Sequence, residues 1–411
     1  MQDMIRVGVV GVGRGRSFAR GTGELTGMKL VALCDTWEER LEQTGKEFGV
    51  ETYTDYDEFL SHDMDAVILA NYFHQHAPFA IKALEAGKHV MSETTACYTL
   101  AEGVALVRAV EKSGLTYMFA ENYPYMLFNQ EMRRLYQAGE VGAVTYAEAE
   151  YIHPDPAEVV MGRSPGKDHW RNWIPATYYC THSLGPIMFI TETWPEKVNG
   201  FVMTNPSDDP VTQRTLKYSD PCSMIALRMD NGAVVRLVQV RLRGHGVWVR
   251  VHSSRGLMEN LRWGDRSMLR VVREQYHEER RYPEEMIYKP DFPEYHAQAM
   301  QAGHGGGDFF TNYHFAQAIR SGDAPFLDVY RGVTMSIVGP LAYRSALNDS
   351  NTVDVPDFRR EEDRVAFEAD DWRPGPHPDQ PAPSIHGHLQ PTQEQIEFSR
   401  EVWRKTGYDG E

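Results

Sequence analysis

The stretch Ile5-Arg6-Val7-Gly8-Val9-Val10-Gly11-Val12-Gly13-Arg14-Gly15-Arg16 narrows the possible folds more than any other part of the chain. Val7, Val9 and Val10 are apolar and β-branched with almost no alternation, the pattern of a strand buried on both faces of a parallel sheet. Gly11 and Gly13 then spell G-x-G, where missing side chains allow a tight turn and close approach of a pyrophosphate to a helix N-terminus. The third glycine of the full G-x-G-x-x-G pattern falls at Gly15, and Arg16 stands in its usual place. An ordinary strand-to-helix turn is the plainer alternative. A second buried-type strand, Met28 to Cys34, leads into Asp35, about twenty residues after the glycines, where a carboxylate accepts hydrogen bonds from a ribose diol. Asp35 favours NAD over NADP because it would repel a 2′-phosphate, although Arg40 nearby offers a phosphate partner.

Helices are expected over 17–27, from Glu38 to Phe48 and, briefly, from Tyr56 to Ser61. Asp65 to Ala70 and Lys88 to Glu93 read as further buried strands, and the segment from Ala80 as a helix closed by Gly87. Leu115 to Ala120 is another strand, leading into Glu121-Asn122-Tyr123. Strands alternating with helices at this spacing mean a doubly wound parallel sheet, an α/β fold. From Val144 the rhythm changes to successive strands: Val144 to His153, Lys197 to Thr204, Cys222 to Met229, Ala233 to Leu242, Val247 to Ser253 and Leu257 to Asn260. Asp230-Asn231-Gly232 is a strong hairpin turn between two of them. Pro374 to Pro391 reads as an extended surface segment and Thr392 to Lys405 as a helix; such a tail wraps its own subunit, wraps a neighbour, or stays a flexible end.

A chain of 411 residues exceeds one compact domain. Its formal charge of −16 argues against a nucleic-acid footprint or an anionic membrane surface and makes a neutral small molecule the easier partner. The apolar runs fall short of a membrane span, and the start lacks a basic segment followed by an apolar one, so the chain reads as cytoplasmic. Cys34, Cys97, Cys180 and Cys222 show neither metal spacing nor a pairing pattern, and no metal site is expected.

His76, followed from Ala80 by A-x-x-A-L-x-A-G-K-H-V-x-x-E, resembles the glucose–fructose oxidoreductase, inositol dehydrogenase and rhizopine-catabolism (Gfo/Idh/MocA) family of NAD(P)-dependent proteins. The resemblance implies an N-terminal Rossmann domain over 1–125 and a substrate domain over 126–360 with an open, mainly antiparallel sheet facing the nicotinamide. A tail over 361–411 completes the chain. It also implies cofactor contacts from Gly11, Gly13, Arg14, Gly15, Asp35, Asn71, His76 and Glu93. Two departures matter. Dehydrogenases of the family carry Glu-Lys-Pro where this chain has Glu93-Thr94-Thr95, so an expected ammonium is missing. They also carry Asp-x-x-x-His where this chain has Tyr178 and His182, so the acid that would orient the imidazole is missing as well.

Tyr179-x-x-His182, His169-Trp170-Arg171 upstream, Gly303-His304-Gly305-Gly306-Gly307-Asp308-Phe309 and Val353-Asp354-Val355-Pro356-Asp357-Phe358 are similar instead to the NAD-dependent glycoside hydrolase branch, known first for α-N-acetylgalactosaminidases. Most glycosidases use two flanking carboxylates. With NAD another route opens: oxidation at the sugar C3, loss of the acidified C2 proton, elimination of the C1 substituent, addition of water, and re-reduction. On that route Tyr179 takes the C2 proton and His182 relays the C3 hydroxyl proton, one helical turn apart. Glu121, at the end of a Rossmann strand, holds a sugar hydroxyl or assists the leaving group, with a solvated or salt-bridged acid as the alternative.

Glu93 either supports the nicotinamide ribose or pairs with a cation, and His76 either lies on the cofactor side or hydrogen-bonds a loop. Trp170 and Trp173 either stack on a sugar or pack in the core. His169, Arg171 and His304 are expected on the substrate, His304 and Asp308 alternatively shaping a turn into a helix. The expected partner is a small carbohydrate or glycoside, and the expected assembly a dimer or tetramer. A conventional sugar or cyclitol dehydrogenase is the competing reading, and a cofactor-binding regulator without turnover the third.

Overall fold

The computed structural model describes residues 4–410 apart from 205, 207, 245, 275–283 and 293. Ile5–Val10 forms β1, buried at every position but Arg6. It pairs in parallel with β2 (Met28–Cys34) and, on its other edge, with the strand Ala66–Leu69. With β3 at Glu51–Tyr53, that strand is β4; β5 (His89–Ser92) and β6 (Tyr117–Phe119) extend the sheet beyond it. Among the described residues this first sheet runs β3-β2-β1-β4-β5-β6, all parallel. The strand order reverses between β1 and β4, the place where open α/β sheets leave a crevice for ligands.

Helices α1 (Gly15–Arg20), α2 (Glu38–Phe48), α3 (Tyr56–Leu60), α4 (His76–Glu85) and α5 (Leu100–Ser113) connect these strands. The helix expected over 17–27 is shorter than the reading, because Gly21 and Gly23 are poor helix formers and Gly27 takes the left-handed region at φ +66°. Conversely, α4 begins at His76, earlier than expected, since Pro78 sits in the first turn where its missing N–H costs nothing.

After α6 (Leu127–Gln137) the chain builds a mixed, mostly antiparallel sheet from β7 (Val144–Ile152), β8 (Pro195–Met203), β9 (Cys222–Met229), β10 (Val234–Val240), β11 (Gly246–Ser253) and β12 (Gly256–Asn260). Asp230-Asn231-Gly232 turns β9 into β10 in an antiparallel hairpin. Two further strands, β13 (Leu269–Arg273) and β14 (Glu284–Tyr288), were not legible; β14 is a largely exposed, acidic edge that lacks a period-two apolar pattern. With the short β15 (Val353–Asp354), the described strands run β14-β13-β12-β11-β7-β10-β9-β8-β15, and only β7 and β10 are parallel neighbours.

The connections of this second part are α7 (Ala157–Gly162), α8 (Thr181–Thr191), α9 (His296–Gln301), α10 (Gly307–Ser321), α11 (Val329–Leu347), α12 (Glu361–Phe367) and α13 (Gln393–Lys405). Helix α11 is buried along nearly its whole length and joins the two sheets. Ser336 Oγ accepts from the Ala96 amide at 2.8 Å on the Rossmann side. A Cβ at Gly339 would come within 2.8 Å of Tyr178 Cα, so the helix lies directly against the segment that leads into α8.

The tail lies on its own chain. Tyr343 donates to the Ala382 carbonyl at 2.9 Å, Ser384 and the Ile385 amide donate to Asp220, and Trp403 Nε1 donates to the Met161 carbonyl at 3.1 Å. Among the described residues no helix is long and apolar enough to cross a membrane. Trp403 is 1% exposed, so Trp403→Ala should cost roughly 3–5 kcal/mol where α13 docks. Limited proteolysis and hydrogen exchange should then show the segment after residue 374 opening first; unchanged protection there would contradict the docking.

Candidate active site

The glycine turn satisfies the demands of a dinucleotide. Gly11 has φ +91°, and a Cβ there would meet the Ala70 carbonyl at 2.4 Å, so the turn from β1 closes tightly against the end of β4. A Cβ at Gly13 would meet nothing within 4 Å, leaving the backbone open to a ligand. One at Gly15 would collide with Val9 Cγ1 at 2.7 Å. Gly15 therefore supplies the close helix–strand packing of the missing third glycine, and Arg16 is free to pair with Glu47 at the surface. Asp35 accepts the Val12 amide at 2.7 Å and the Trp37 amide at 2.9 Å, holding the turn while its remaining lone pairs stay available to a ribose.

Arg14 leaves this turn toward two carboxylates. Its Nε donates to Glu93 at 2.6 Å, beyond the end of β5, and its other two nitrogens donate to both oxygens of Asp308 at 3.0 and 2.8 Å, at the start of α10. Asp308 also accepts Asn122 at 2.7 Å and His304 Nδ1 at 3.0 Å. Burial opposes the charge on Asp308, but the hydrogen bonds from His304 and Arg14 outweigh it and hold the carboxyl far below its ordinary range. Burial likewise opposes the charge on Glu93, and the Arg14 charge outweighs it, with a smaller contribution from His182.

Glu121, just past β6, is 0% exposed. Its Oε1 accepts His182 Nδ1 at 2.9 Å and the Tyr123 amide at 3.2 Å. The acid expected four residues before the histidine is thus replaced by one from the other sheet. With Nδ1–H given to Glu121, Nε2 of His182 carries the lone pair. Of the readings made for Glu121 from sequence, the hydrogen bond to His182 matches the paired acid, while its second oxygen, Oε2, has no protein partner.

Tyr179 lies in a short 3-10 helix over Ala176–Cys180, and His182 in the first turn of α8. Their ring centres lie 6.4 Å apart, with Tyr151 stacked beside Tyr179 at 6.1 Å and tilted against His182 at 4.4 Å. Tyr123 adds a ring 4.9 Å from His182, and its hydroxyl lies 3.3 Å from His153 Nε2. Arg171 donates to the Tyr179 oxygen at 3.1 Å while its guanidinium stacks on Trp170 at 4.1 Å. The cluster therefore joins a phenol with a cationic donor to an imidazole with a buried carboxylate.

Residues 134–363, more than half of the chain, match the model of the glycosyl hydrolase 109 C-terminal domain. The chain belongs to glycosyl hydrolase family 109. Residues 5–121 of this family 109 enzyme match the oxidoreductase family with an NAD-binding Rossmann fold, and its cofactor is NAD. It is 28% identical over 395 residues to glycosyl hydrolase family 109 protein 1 of Shewanella sp. (strain MR-4), covering 87% of this chain and 86% of that protein. The corresponding protein of Shewanella baltica (strain OS155 / ATCC BAA-1091) is 27% identical over the same shares. Its fold is similar to that of a levoglucosan dehydrogenase in complex with NADH and L-sorbose, with a TM-score of 0.74 and 20% identity over 87% of this chain and 100% of that one. An oxidoreductase from Agrobacterium radiobacter in complex with NAD+, L-tartaric acid and magnesium gives 0.69 and 15% over 85% and 98%.

Other sequence candidates of the family 109 chain have protein partners of their own. His76 is buried, with Nδ1 donating to the Thr95 carbonyl at 2.8 Å and Nε2 3.3 Å from the Asn71 carbonyl, so it holds a loop. The Asn71 amide donates to Gln75 at 3.3 Å. Glu93 pairs with Arg14, which also pairs with Asp308. Burial and then the charges of Arg171 and Lys217 push His169 down to about 2, and its Nδ1 accepts the Arg171 amide, so it caps the short 3-10 helix Trp170–Asn172 as a neutral ring. Trp173 packs with Phe73, Tyr98 and Tyr178 in a buried aromatic cluster. His304 stays half-exposed beside Tyr123 with Asp308 behind it.

Sequence reasoning missed Tyr151, His153, Lys217 and Arg241. A polar residue following the apolar β10 was the available signal for Arg241; Lys217 lies outside regular structure and left none. The four cysteines are buried and free, and among the described residues no group of three His, Cys, Asp or Glu side chains is arranged for a metal ion.

Because the native state lowers the pKa of Asp308, its carboxylate stabilises the fold fully above about pH 4 and progressively less as pH falls toward the native value. Asp308→Asn should therefore destabilise more at about pH 7 than at about pH 3 in urea unfolding. Equal losses at both would contradict the pairing.

Proposed function

We propose that this enzyme hydrolyses glycosides through a transient ketone at the sugar C3. The observation that carries the reading is the convergence of Tyr179 and His182, one held by Arg171 and the other by Glu121, beside the carboxyl ends of the Rossmann strands. When bound, NAD supplies a two-electron acceptor that gives the pair back within one turn. Gly11, Gly13, Gly15 and Asp35 would hold it, with Arg14 and Glu93 shaping the adjacent wall.

His182 Nε2 accepts the C3 hydroxyl proton as the ketone forms, and Glu121 stabilises the resulting imidazolium. The ketone acidifies C2–H, and the Tyr179 oxygen removes that proton. The cationic donor from Arg171 is complementary to the phenolate this step requires. The C1 substituent leaves as its alcohol with the proton Tyr179 removed, water adds hydroxyl to C1 and a proton to C2, and reduction at C3 with return of the proton held by His182 restores the sugar. Glycoside and water thus become free sugar and alcohol with no net oxidation. The missing Glu-Lys-Pro lysine is consistent with this route, because His182 with Glu121 serves the C3 proton.

The same pair would also serve a simple sugar dehydrogenase, and steady-state turnover separates the two. Aryl glycosides should release phenol without NADH accumulation and with deuterium entering C2 in heavy water; stoichiometric NADH with an intact glycosidic bond assigns a dehydrogenase instead. Tyr179→Phe should lower phenol release by roughly 10²–10⁴-fold while NAD binding stays near normal, and full activity would remove its role. Glu121→Gln should lower kcat by about 10²-fold or more and alter its pH profile with KM little changed. An unaltered profile would leave Glu121 a purely structural residue.

A further inference from the structure

Arg171 and Lys217 lie beside Tyr179, and β10, which Arg241 follows, packs against the 3-10 helix that carries this tyrosine. Arg171 is fixed by Trp170 and the Tyr179 oxygen, and Lys217 Nζ donates to the Arg171 carbonyl and to Asn172 Oδ1. Arg241 follows the last residue of β10, in line with Tyr151 and His153, since Val240 pairs with Ile152 and its carbonyl accepts the His153 amide at 2.7 Å. Val240 itself has φ +118°, a region β-branched residues avoid, so backbone strain sits at the residue that turns Arg241 out of the ladder.

Among the described residues no carboxylate lies within ion-pair distance of these three groups, and the Arg241 guanidinium has no hydrogen-bond partner. Asp155, whose charge reaches Arg241, is already paired with Arg163 at 2.6 Å. Uncompensated charge leaves its mark on the neighbours. Burial, and then Arg241 and Arg171, push the Lys217 ammonium well below its ordinary range, and burial lowers Arg241. The three side chains are half-buried, and basic groups held this close without counter-charge oppose one another's protonation unless a ligand supplies it.

We propose that Arg171, Arg241 and Lys217 form a subsite for an anionic substituent of the sugar, a carboxylate or a sulfate ester, so that the glycosides this enzyme processes are acidic ones. Two guanidiniums suit planar, bidentate recognition of such a group. The inference rests on Tyr179 lying at the reacting sugar, as in the function proposed above.

The test is binding to the NAD-loaded protein by calorimetry. Glucuronate and galacturonate form the carboxylate arm, N-acetylglucosamine 6-sulfate and galactose 6-sulfate the sulfate arm, and the neutral parent sugars the reference. One arm should bind roughly 10- to 100-fold tighter than its parents, and the preferred arm names the group. Arg241→Gln should collapse that ratio and Arg241→Lys should keep most of it. Parent sugars binding as well as both acidic arms, or an Arg241→Gln variant that weakens acidic and neutral sugars equally, would overturn the subsite. Aryl glycosides run alongside keep the two readings apart: acidic preference in binding without glycoside cleavage removes hydrolysis and leaves the subsite, whereas cleavage of neutral glycosides with no acidic preference does the reverse.

Discussion

The Arg14 guanidinium, carried out of the glycine turn, meets carboxylates from two distant parts of the chain, Glu93 beyond β5 and Asp308 at the head of α10. Asp308 is only 6% exposed, and a charge so covered is tolerable only while its partners stay in place. Two charge-assisted bonds from Arg14, one from His304 and one from Asn122 meet that condition together, so the Rossmann turn, the loop after β6 and the second part of the chain are set against one another within hydrogen-bond tolerance. Glu121 immediately precedes Asn122 in that loop, and its place beneath His182 follows from the same anchoring.

The site is consequently shared between the two sheets. The imidazole comes from α8, its carboxylate from the loop after β6, the phenol from the 3-10 helix before α8, and neighbouring rings from β7 and the Rossmann side. Neither part holds the hydrogen-bonded histidine and carboxylate alone. Helix α11, packed against Tyr178 and bonded to the Ala96 amide, keeps the Tyr179 segment and the Rossmann loops in a fixed relation. The tail closes over the same region through Tyr343, Asp220 and Met161, which gives it a structural role within its own chain.

Net charge and local charge point in opposite directions here. A formal charge of −16 disfavours anionic partners at long range, yet salt limits that influence to about 8–10 Å in solution. Recognition inside a partly buried cluster is decided by the groups within reach, and beside Tyr179 these are Arg171, Arg241 and Lys217. On the subsite proposed above, the neutral partner expected from composition gives way to an acidic sugar.

Much was legible because local rules govern it. The β-branched run of β1, the glycines, Asp35 ending β2, and the Asp230-Asn231-Gly232 hairpin each follow from short-range geometry, and the motif spacing carried the family. Tertiary structure decided the rest. That Glu121 meets His182 across sixty-one positions of chain, that Arg14 spends its donors on Glu93 and Asp308, and that Gly15 takes over the packing of the missing glycine all depend on which strand ends meet. The physical reason is that periodicity and turn chemistry act over a few residues, whereas a buried charge is neutralised by whatever partner the packed sheets bring within 3 Å of it.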